Sequence, residues 1–178
     1  EKDRRDLRYH DYFHIEPARK QLATGNLSWG VMNNLHFVLH KVPNDHPALQ
    51  LLVQWAKAGG RDPAYASPAC YLAWASEFAP NDPMVWGYGG VYFYNKGDKA
   101  MAGQWWRKAL ALNPNNADVH YNLGLLQFEQ GNYAEARKHA EAAYAAGKYA
   151  EGARLFESIN ADDDYVEFLT LPAYRKID

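Results

Sequence analysis

Residues 81–131 read NDPMVWGYGGVYFYNKGDKAMAGQWWRKALALNPNNADVHYNLGLLQFEQG and contain two copies of one pattern. Six small or aromatic positions of the first copy return 34 residues later. The pairs are Trp86 with His120, Gly90 with Gly124, Gly97 with Gly131, Ala102 with Ala136, Trp106 with Ala140 and Ala109 with Ala143. A repeat of this length, with small residues where two short helices cross, indicates a solenoid of helical hairpins.

Proline and asparagine punctuate the chain at a similar interval. Pro-Asn-Asp occupies residues 43–45 and 80–82, and Pro-Asn-Asn occupies 114–116, which gives intervals of 37 and 34. Proline ends the preceding helix, and an Asn or Asp side chain caps the next one by accepting bonds from its free N–H groups. Pro47 and Pro83 then fit first-turn positions, where a missing N–H costs little.

Glycines mark the turns inside the hairpins. Gly25, Gly60, Gly97 and Gly131 are spaced by 35, 37 and 34 residues and suit left-handed helix ends. The spacing predicts four hairpins, the first beginning near Phe13 with its second helix capped by Asn26. Three extra residues fall in the loop at 61–66, before Ser-Pro at 67–68 restarts a helix. We expect Gly90 and Gly124 to lie where the two helices of a hairpin cross.

The body of the chain, about residues 12–146, resembles a tetratricopeptide repeat (TPR) array, strongly at 81–146 and moderately at 12–80. The family pattern W-x2-L-G-x2-Y, A-x3-F, P is matched by Trp86, Gly89, Gly90, Phe93, Ala102, Trp106 and Pro114. This resemblance implies an all-α fold, a right-handed superhelix of about four TPR-like hairpins, with Trp86, Phe93 and Trp106 at packing positions. Among TPR proteins the chain is similar to small bacterial envelope proteins that carry a removed secretory signal.

The end of the chain resembles a different family. Residues 147–178, especially 153–156 and 168–174, look like the extreme C-terminus of malate synthase. That family's chemistry belongs to a large magnesium-bearing barrel, so the resemblance brings no catalytic residue here. It implies a fused segment that caps the array. We therefore predict a charged arm at 1–12, a repeat domain at 13–146, and a capping helix with a tail at 147–178.

The composition argues against a nucleic-acid-binding protein and against a membrane-spanning one. The chain has 178 residues, 48% hydrophobic and 22% charged, with a formal charge of -2, which gives no electrostatic case for nucleic acid. No apolar run is long enough for a transmembrane segment. Because the first residue is Glu rather than Met, we expect a processed or trimmed product. The predicted location is a bacterial periplasm or cell envelope if a signal peptide was removed, and the cytoplasm otherwise.

No residue pattern gives strong evidence for a metal site, a reactive thiol, a phosphate-binding loop or a calcium-binding loop. His36 and His40 lie four apart on a predicted helix, but no suitably spaced carboxylate accompanies them, so surface or packed histidines are favoured over a metal site. Cys70 is expected to be a buried structural thiol. The glycine-rich residues 87–90 lack the Lys-Ser or Lys-Thr of a phosphate loop, and the acidic residues 162–164 lack calcium-loop spacing. We predict a non-enzymatic protein with no cofactor and no metal.

The resemblance also predicts which residues face the concave groove of the superhelix. They are Gln50, Gln54 and Lys57 in the second hairpin, Met84, Gly87, Tyr88, Val91, Tyr94 and Asn95 in the third, and Asp118, Tyr121, Asn122, Leu125, Phe128 and Glu129 in the fourth. The predicted peptide-binding residues are Tyr88, Val91, Tyr94, Asn95, Tyr121, Asn122, Leu125 and Phe128.

Aromatic rings in this groove would contact apolar side chains, and asparagines would bond a peptide backbone. Only Lys57 is cationic there, which disfavours capture of a C-terminal carboxylate. The predicted partner is a protein or peptide, bound by a monomer or weak dimer. Alternatively, Tyr88 and Tyr121 only pack between repeats, and the protein is an accessory or assembly factor that docks through its tail. In a third interpretation, a malate-synthase-like tail merely caps the array.

Overall fold

The structure, a computed structural model, describes residues 11–162. It begins with a π-helical turn, Asp11–Ile15, which passes directly into the first of nine α-helices. The helices are α1 (Glu16–Ala23), α2 (Trp29–Lys41), α3 (His46–Lys57), α4 (Pro68–Phe78), α5 (Pro83–Asn95), α6 (Lys99–Leu112), α7 (Ala117–Glu129), α8 (Tyr133–Ala145) and α9 (Tyr149–Asp162). Within these residues no strand is present, and the prediction of an all-α fold of helical hairpins is confirmed.

Three helix starts follow the predicted punctuation. The carboxylate of Asp45 accepts a bond from Ala48 N at 2.8 Å, and that of Asp82 accepts one from Met84 N at 3.0 Å. The side chain of Asn116 accepts from Val119 N at 3.1 Å. Prolines occupy the first turns of α3 and α5. These caps satisfy N–H groups that have no partner inside the helix.

Two local predictions are wrong. Asn26 does not cap α2, because its side chain accepts from Ser28 N at 2.8 Å and forms a turn, while Ser28 is the residue that precedes the helix. The left-handed glycine after α3 is Gly59, with φ +91°, and not Gly60. Gly60 is required for another reason, since a Cβ there would lie 2.2 Å from Cε2 of Trp55.

The chain forms two compact units, Glu1–Pro114 and Asn115–Asp178. In the first unit, helices α1 to α6 enclose a core of aliphatic and aromatic side chains that includes Leu35, Leu49, Leu52, Trp55, Tyr71 and Leu72. In the second unit, the core formed by α8 and α9 contains Ala136, Ala140, Leu155, Phe156 and Ile159. The predicted domain limits at 12 and 146 remain predictions. Most of the predicted arm and tail lies outside the described residues.

The crossing glycines behave differently in the two hairpins. A Cβ on Gly90 would lie 2.3 Å from Cδ1 of Trp106, so the close approach predicted within this hairpin is confirmed. A Cβ on Gly124 would instead meet Cδ2 of Leu155 at 2.6 Å, whereas His139 Cβ, on the other helix of its own hairpin, lies 3.4 Å away. The carbonyl oxygen of Ala136, on that same helix, lies 3.5 Å away, so the close approach predicted within this hairpin is confirmed too, and the side chain of Leu155 from α9 adds a contact.

Candidate peptide-binding faces

Helices α3 and α5 run side by side in the same direction within the first unit. At their N-terminal ends, Nε2 of His46 lies 2.7 Å from Oδ2 of Asp82, and at their C-terminal ends Nζ of Lys96 donates to the carbonyl of Ala56 at 3.5 Å. Burial raises the pKa of Asp82, but hydrogen bonds from His46 and Asn44 outweigh it and leave this pKa below its usual value. The carboxylate therefore stays ionised and ties the two helix starts together.

The predicted binding residues of α5 are half-buried. Tyr88 and Val91 pack partly against the core of the first unit, and the Tyr88 ring lies 6.3 Å from that of His46. The ring of Tyr94 lies 5.6 Å from that of Trp106. Each of these side chains thus has one packed side and one side open to solvent.

Amide side chains lie on both helices, a half-buried asparagine on α5 and two exposed glutamines on α3. Nδ2 of Asn95 is buried and has no hydrogen-bond partner, which is costly for a polar group. On the neighbouring helix α3, Gln50, Gln54 and Lys57 form an exposed stripe with helical spacing. The first unit therefore places an exposed polar stripe beside a helix that carries half-buried aromatic residues.

The predicted residues of α7 belong to the second unit. Tyr121, Leu125 and Phe128 pack against the core formed by α8 and α9, while Asn122 is half-buried. Asp118 is 74% exposed in its side chain and accepts a bond from Nζ of Lys148 at 3.0 Å. That bond raises the pKa of Lys148. The core formed by α8 and α9 thus packs against part of the surface that the sequence assigns to a groove.

The three residues predicted at packing positions, Trp86, Phe93 and Trp106, are buried to different extents. Trp106 is 2% exposed, and its indole N–H donates to the carbonyl of Gly87 at 3.2 Å. Phe93 is half-buried against the core of the first unit. Trp86 is also half-buried, with its ring 4.9 Å from that of Trp105, and its N–H donates to the carbonyl of Pro80 at 2.9 Å.

His36 and Cys70 both lie close to Tyr71. Nδ1 of His36 lies 2.7 Å from the hydroxyl of Tyr71, whose pKa is raised to about 12 by burial and by the nearby Tyr65 and Cys70. His40 stacks on His36. Among residues 11–162 no three His, Cys, Asp or Glu side chains are grouped to hold a metal ion. Cys70 is exposed, so the prediction of a buried thiol is wrong; the buried face of α4 carries Tyr71, Leu72 and Ala75.

Sequence reasoning missed a histidine pair in the second unit. Nδ1 of His120 on α7 lies 3.0 Å from Nδ1 of His139 on α8. Burial and the neighbouring imidazole lower the pKa of His139. His120 occupies the repeat position of Trp86, so the repeat gives its place on α7 but does not indicate that His139 lies beside it.

None of the helices between residues 11 and 162 is long and apolar enough to cross a bilayer.

Two family descriptions match the chain. "TPR repeat" matches residues 90–131 and "Tetratricopeptide repeat" matches residues 117–146. The predicted TPR repeats are thereby confirmed for this part of the chain, and such repeats point to a protein-interaction scaffold. No curated protein sequence matches.

Solved structures with the same fold include two of the MamA protein and one of a thermophilic TPR protein from Thermus thermophilus. The first MamA structure is 20% identical, with a TM-score of 0.56, over 84% of this chain and 86% of that one. The second is 18% identical, with a TM-score of 0.57, over 83% and 94%. The Thermus protein is 19% identical, with a TM-score of 0.59, over 80% and 77%. These identities show the fold alone, and the resemblance of residues 147–178 to malate synthase remains a prediction.

Proposed function

We propose that the protein is a non-enzymatic scaffold that binds an extended segment of a partner protein along α3 and α5. The observation that carries the proposal is the parallel pairing of these helices. His46 and Asp82 join their N-terminal ends, and their C-terminal ends bring Nζ of Lys96 to 3.5 Å from the carbonyl of Ala56. Parallel helices set the exposed stripe of α3 beside the half-buried rings of α5. The TPR repeats detected from residue 90 onward support the same class of function.

Each residue type has a specific role in this proposal. The open sides of Tyr88, Val91 and Tyr94 contact apolar side chains of the partner. Nδ2 of Asn95 rotates out to donate to a peptide carbonyl, and this movement breaks no hydrogen bond because the atom has none in the unbound protein. Gln50 and Gln54 bond the peptide backbone from α3. Binding depends weakly on salt, because Lys57 is the only charge in these stripes.

The predicted residues of α7 are half-buried, as those of α5 are. Tyr121, Leu125 and Phe128 pack against the core of their own unit, as Tyr88 and Val91 do in the first unit. Asn122 remains a proposed backbone contact of the second unit.

The test starts from peptides selected from a phage-displayed random library on the full chain. One selected peptide, labelled with fluorescein, is then titrated by fluorescence anisotropy. Asn95→Ala and Gln54→Ala should each weaken binding several-fold, since a neutral hydrogen bond contributes about 0.5 to 1.5 kcal/mol. Tyr88→Ala should cost more, because aromatic anchors dominate interfaces.

Gln104→Ala is the matched control, because Gln104 is an exposed amide on α6, outside the two stripes. Circular dichroism melting of each variant separates lost binding from lost folding. If Asn95→Ala and Gln54→Ala bind as tightly as the unmodified chain, the proposal is contradicted. If a chain ending at residue 162 also loses binding, the partner docks on the tail instead.

A further inference from the structure

The loop between α3 and α4 is unusually long for this chain. It contains ten residues, 58–67, whereas the turns of the next two hairpins contain three each, 96–98 and 130–132. The longer loop forms a pocket of about 420 Å³ within the first unit. The pocket is lined by Trp55, Ala56, Gly60, Arg61, Asp62, Pro63, Tyr65, Ala66, Ser67, Pro68, Tyr92 and Lys96. None of these residues belongs to the predicted peptide-binding set.

Three aromatic side chains line it, but only Tyr65 has a ring that is substantially open. Tyr65 is half-buried, whereas Trp55 and Tyr92 are 2% and 9% exposed and are covered by protein. The polar tips of two of them are already bonded, since the Trp55 indole N–H donates to the carbonyl of Leu27 at 3.3 Å and the Tyr65 hydroxyl donates to Oδ1 of Asn33 at 3.0 Å. The pocket therefore offers the exposed part of the Tyr65 ring, and these bonded polar tips do not compete for a ligand.

Two cations lie at its edge. Arg61 and Lys96 are exposed, and neither forms an ion pair within the part of the chain that the structure describes. The ammonium group of Lys96 lies 5.9 Å from the centre of the Tyr92 ring and makes only a long bond, 3.5 Å, to the carbonyl of Ala56.

One carboxylate belongs to the same pocket. Oδ1 of Asp62 accepts from Ala64 N at 3.0 Å, so this side chain shapes the loop. With two cations and one carboxylate, the pocket has a charge of about +1 at neutral pH.

We propose that this pocket binds a small aromatic acid, with its ring against Tyr65 and its carboxylate between Lys96 and Arg61. The volume lies within the range of about 300 to 1,000 Å³ that is usual for small ligands. A carboxylate near Lys96 and Arg61 gains charge-assisted hydrogen bonds from two cations that have no carboxylate partner among the described residues. The inference does not depend on the peptide-binding proposal.

The test is isothermal titration calorimetry of the full chain with three matched probes. Indole-3-acetate carries the carboxylate, indole-3-acetamide replaces it with a neutral amide, and tryptamine replaces it with a cation. We expect indole-3-acetate to bind at least about tenfold more tightly than the amide, and tryptamine to bind more weakly still.

Matched variants locate the site. Lys96→Met and Arg61→Gln should each weaken indole-3-acetate about tenfold and leave the amide nearly unchanged. Lys96→Arg should retain binding. Lys20→Met is the control, because Lys20 is exposed on α1 and does not line the pocket. Equal affinity for the acid and the amide, full binding by Lys96→Met, or no binding of any probe would overturn the inference.

Discussion

The hairpin of α5 and α6 and the hairpin of α7 and α8 have the same backbone pattern but different interiors. Both close with a three-residue turn whose glycine is left-handed, Gly97 with φ +83° and Gly131 with φ +75°. Both carry a glycine at the equivalent position of the first helix, Gly90 and Gly124. The residue that fills the equivalent position of the second helix is a tryptophan in one hairpin and an alanine in the other, Trp106 and Ala140.

The missing indole changes which helix completes the packing. In the first of these hairpins, a Cβ on Gly90 would meet the Trp106 ring, so the hairpin is closed by its own second helix. In the other, Ala140 is too small to fill that role, and Leu155 of α9 approaches Gly124 instead. The repeat therefore determines the turn and the position of the crossing glycine. The side chain that packs on this glycine differs between the hairpins, because it is Trp106 of the same hairpin in one and Leu155 of α9 in the other.

Fluorescence can separate the two units experimentally. All six tryptophans precede residue 115, at positions 29, 55, 74, 86, 105 and 106. Tryptophan emission therefore reports unfolding of the first unit, and helical circular dichroism reports both units.

The largest expected effect is that of Trp106→Ala. This side chain is 2% exposed, and its N–H is bonded to the carbonyl of Gly87. Removing a buried tryptophan leaves a cavity and typically costs about 3 to 5 kcal/mol. Urea unfolding followed by tryptophan emission should show that loss. A loss below about 1 kcal/mol would mean that the indole does not close the hairpin.

Leu155→Ala should produce a smaller loss in the second unit. Leu155 is 3% exposed and is the nearest side chain to Gly124. Truncating a buried leucine costs about 2 to 5 kcal/mol. The change should appear in urea unfolding by circular dichroism and leave the tryptophan transition in place. An unchanged circular dichroism transition would contradict the role of α9.

The smallest effect concerns pH and the histidine pair of the second unit. Burial and the facing His120 lower the pKa of His139 below its unfolded value, and Glu135 opposes them while Lys138 adds to them. Below about pH 6.5 the unfolded chain then binds more protons than the folded one, so stability falls as pH decreases through that range. The melting temperature by circular dichroism should drop less between about pH 7 and about pH 5 in His139→Gln than in the unmodified chain.

His40→Gln is the control for the pH prediction, since His40 is an exposed histidine of the first unit. It should leave the pH dependence of the second unit as it is. If His139→Gln keeps the whole decrease in melting temperature, the histidine pair is not its source.

Much of the fold could be predicted from the sequence, because its signals are local. Asp45, Asp82 and Asn116 cap helices as predicted, since a cap depends on one side chain and the next three residues. The spacing misplaces the left-handed glycine after α3 by one position, because Gly59 and Gly60 are adjacent and either could end the helix. The steric reason for Gly60, contact with Trp55, depends on the folded loop and is invisible in a repeat pattern.

The candidate sites were harder to predict, because they depend on contacts between distant residues. The register places Tyr88 and Tyr121 on the same face of their two helices, but only the structure shows that each packs partly against the core of its own unit. The pocket beside Trp55 and Lys96 joins a loop to the end of a helix about 40 residues away. The repeat spacing reveals three extra residues in this loop, but it does not reveal the pocket that the loop helps to form.

The most direct test of the account is the pair Gly90→Ala and Gly124→Ala. A Cβ on Gly90 must displace a buried indole, which should cost about 1 to 3 kcal/mol even after the roughly 1 kcal/mol that alanine gains in a helix. A Cβ on Gly124 meets the flexible end of Leu155, so that gain should offset most of the cost and leave a change within about 0.5 kcal/mol. Urea unfolding, by tryptophan emission for the first variant and circular dichroism for the second, measures both. Equal losses, or a larger loss for Gly124→Ala, would contradict the account.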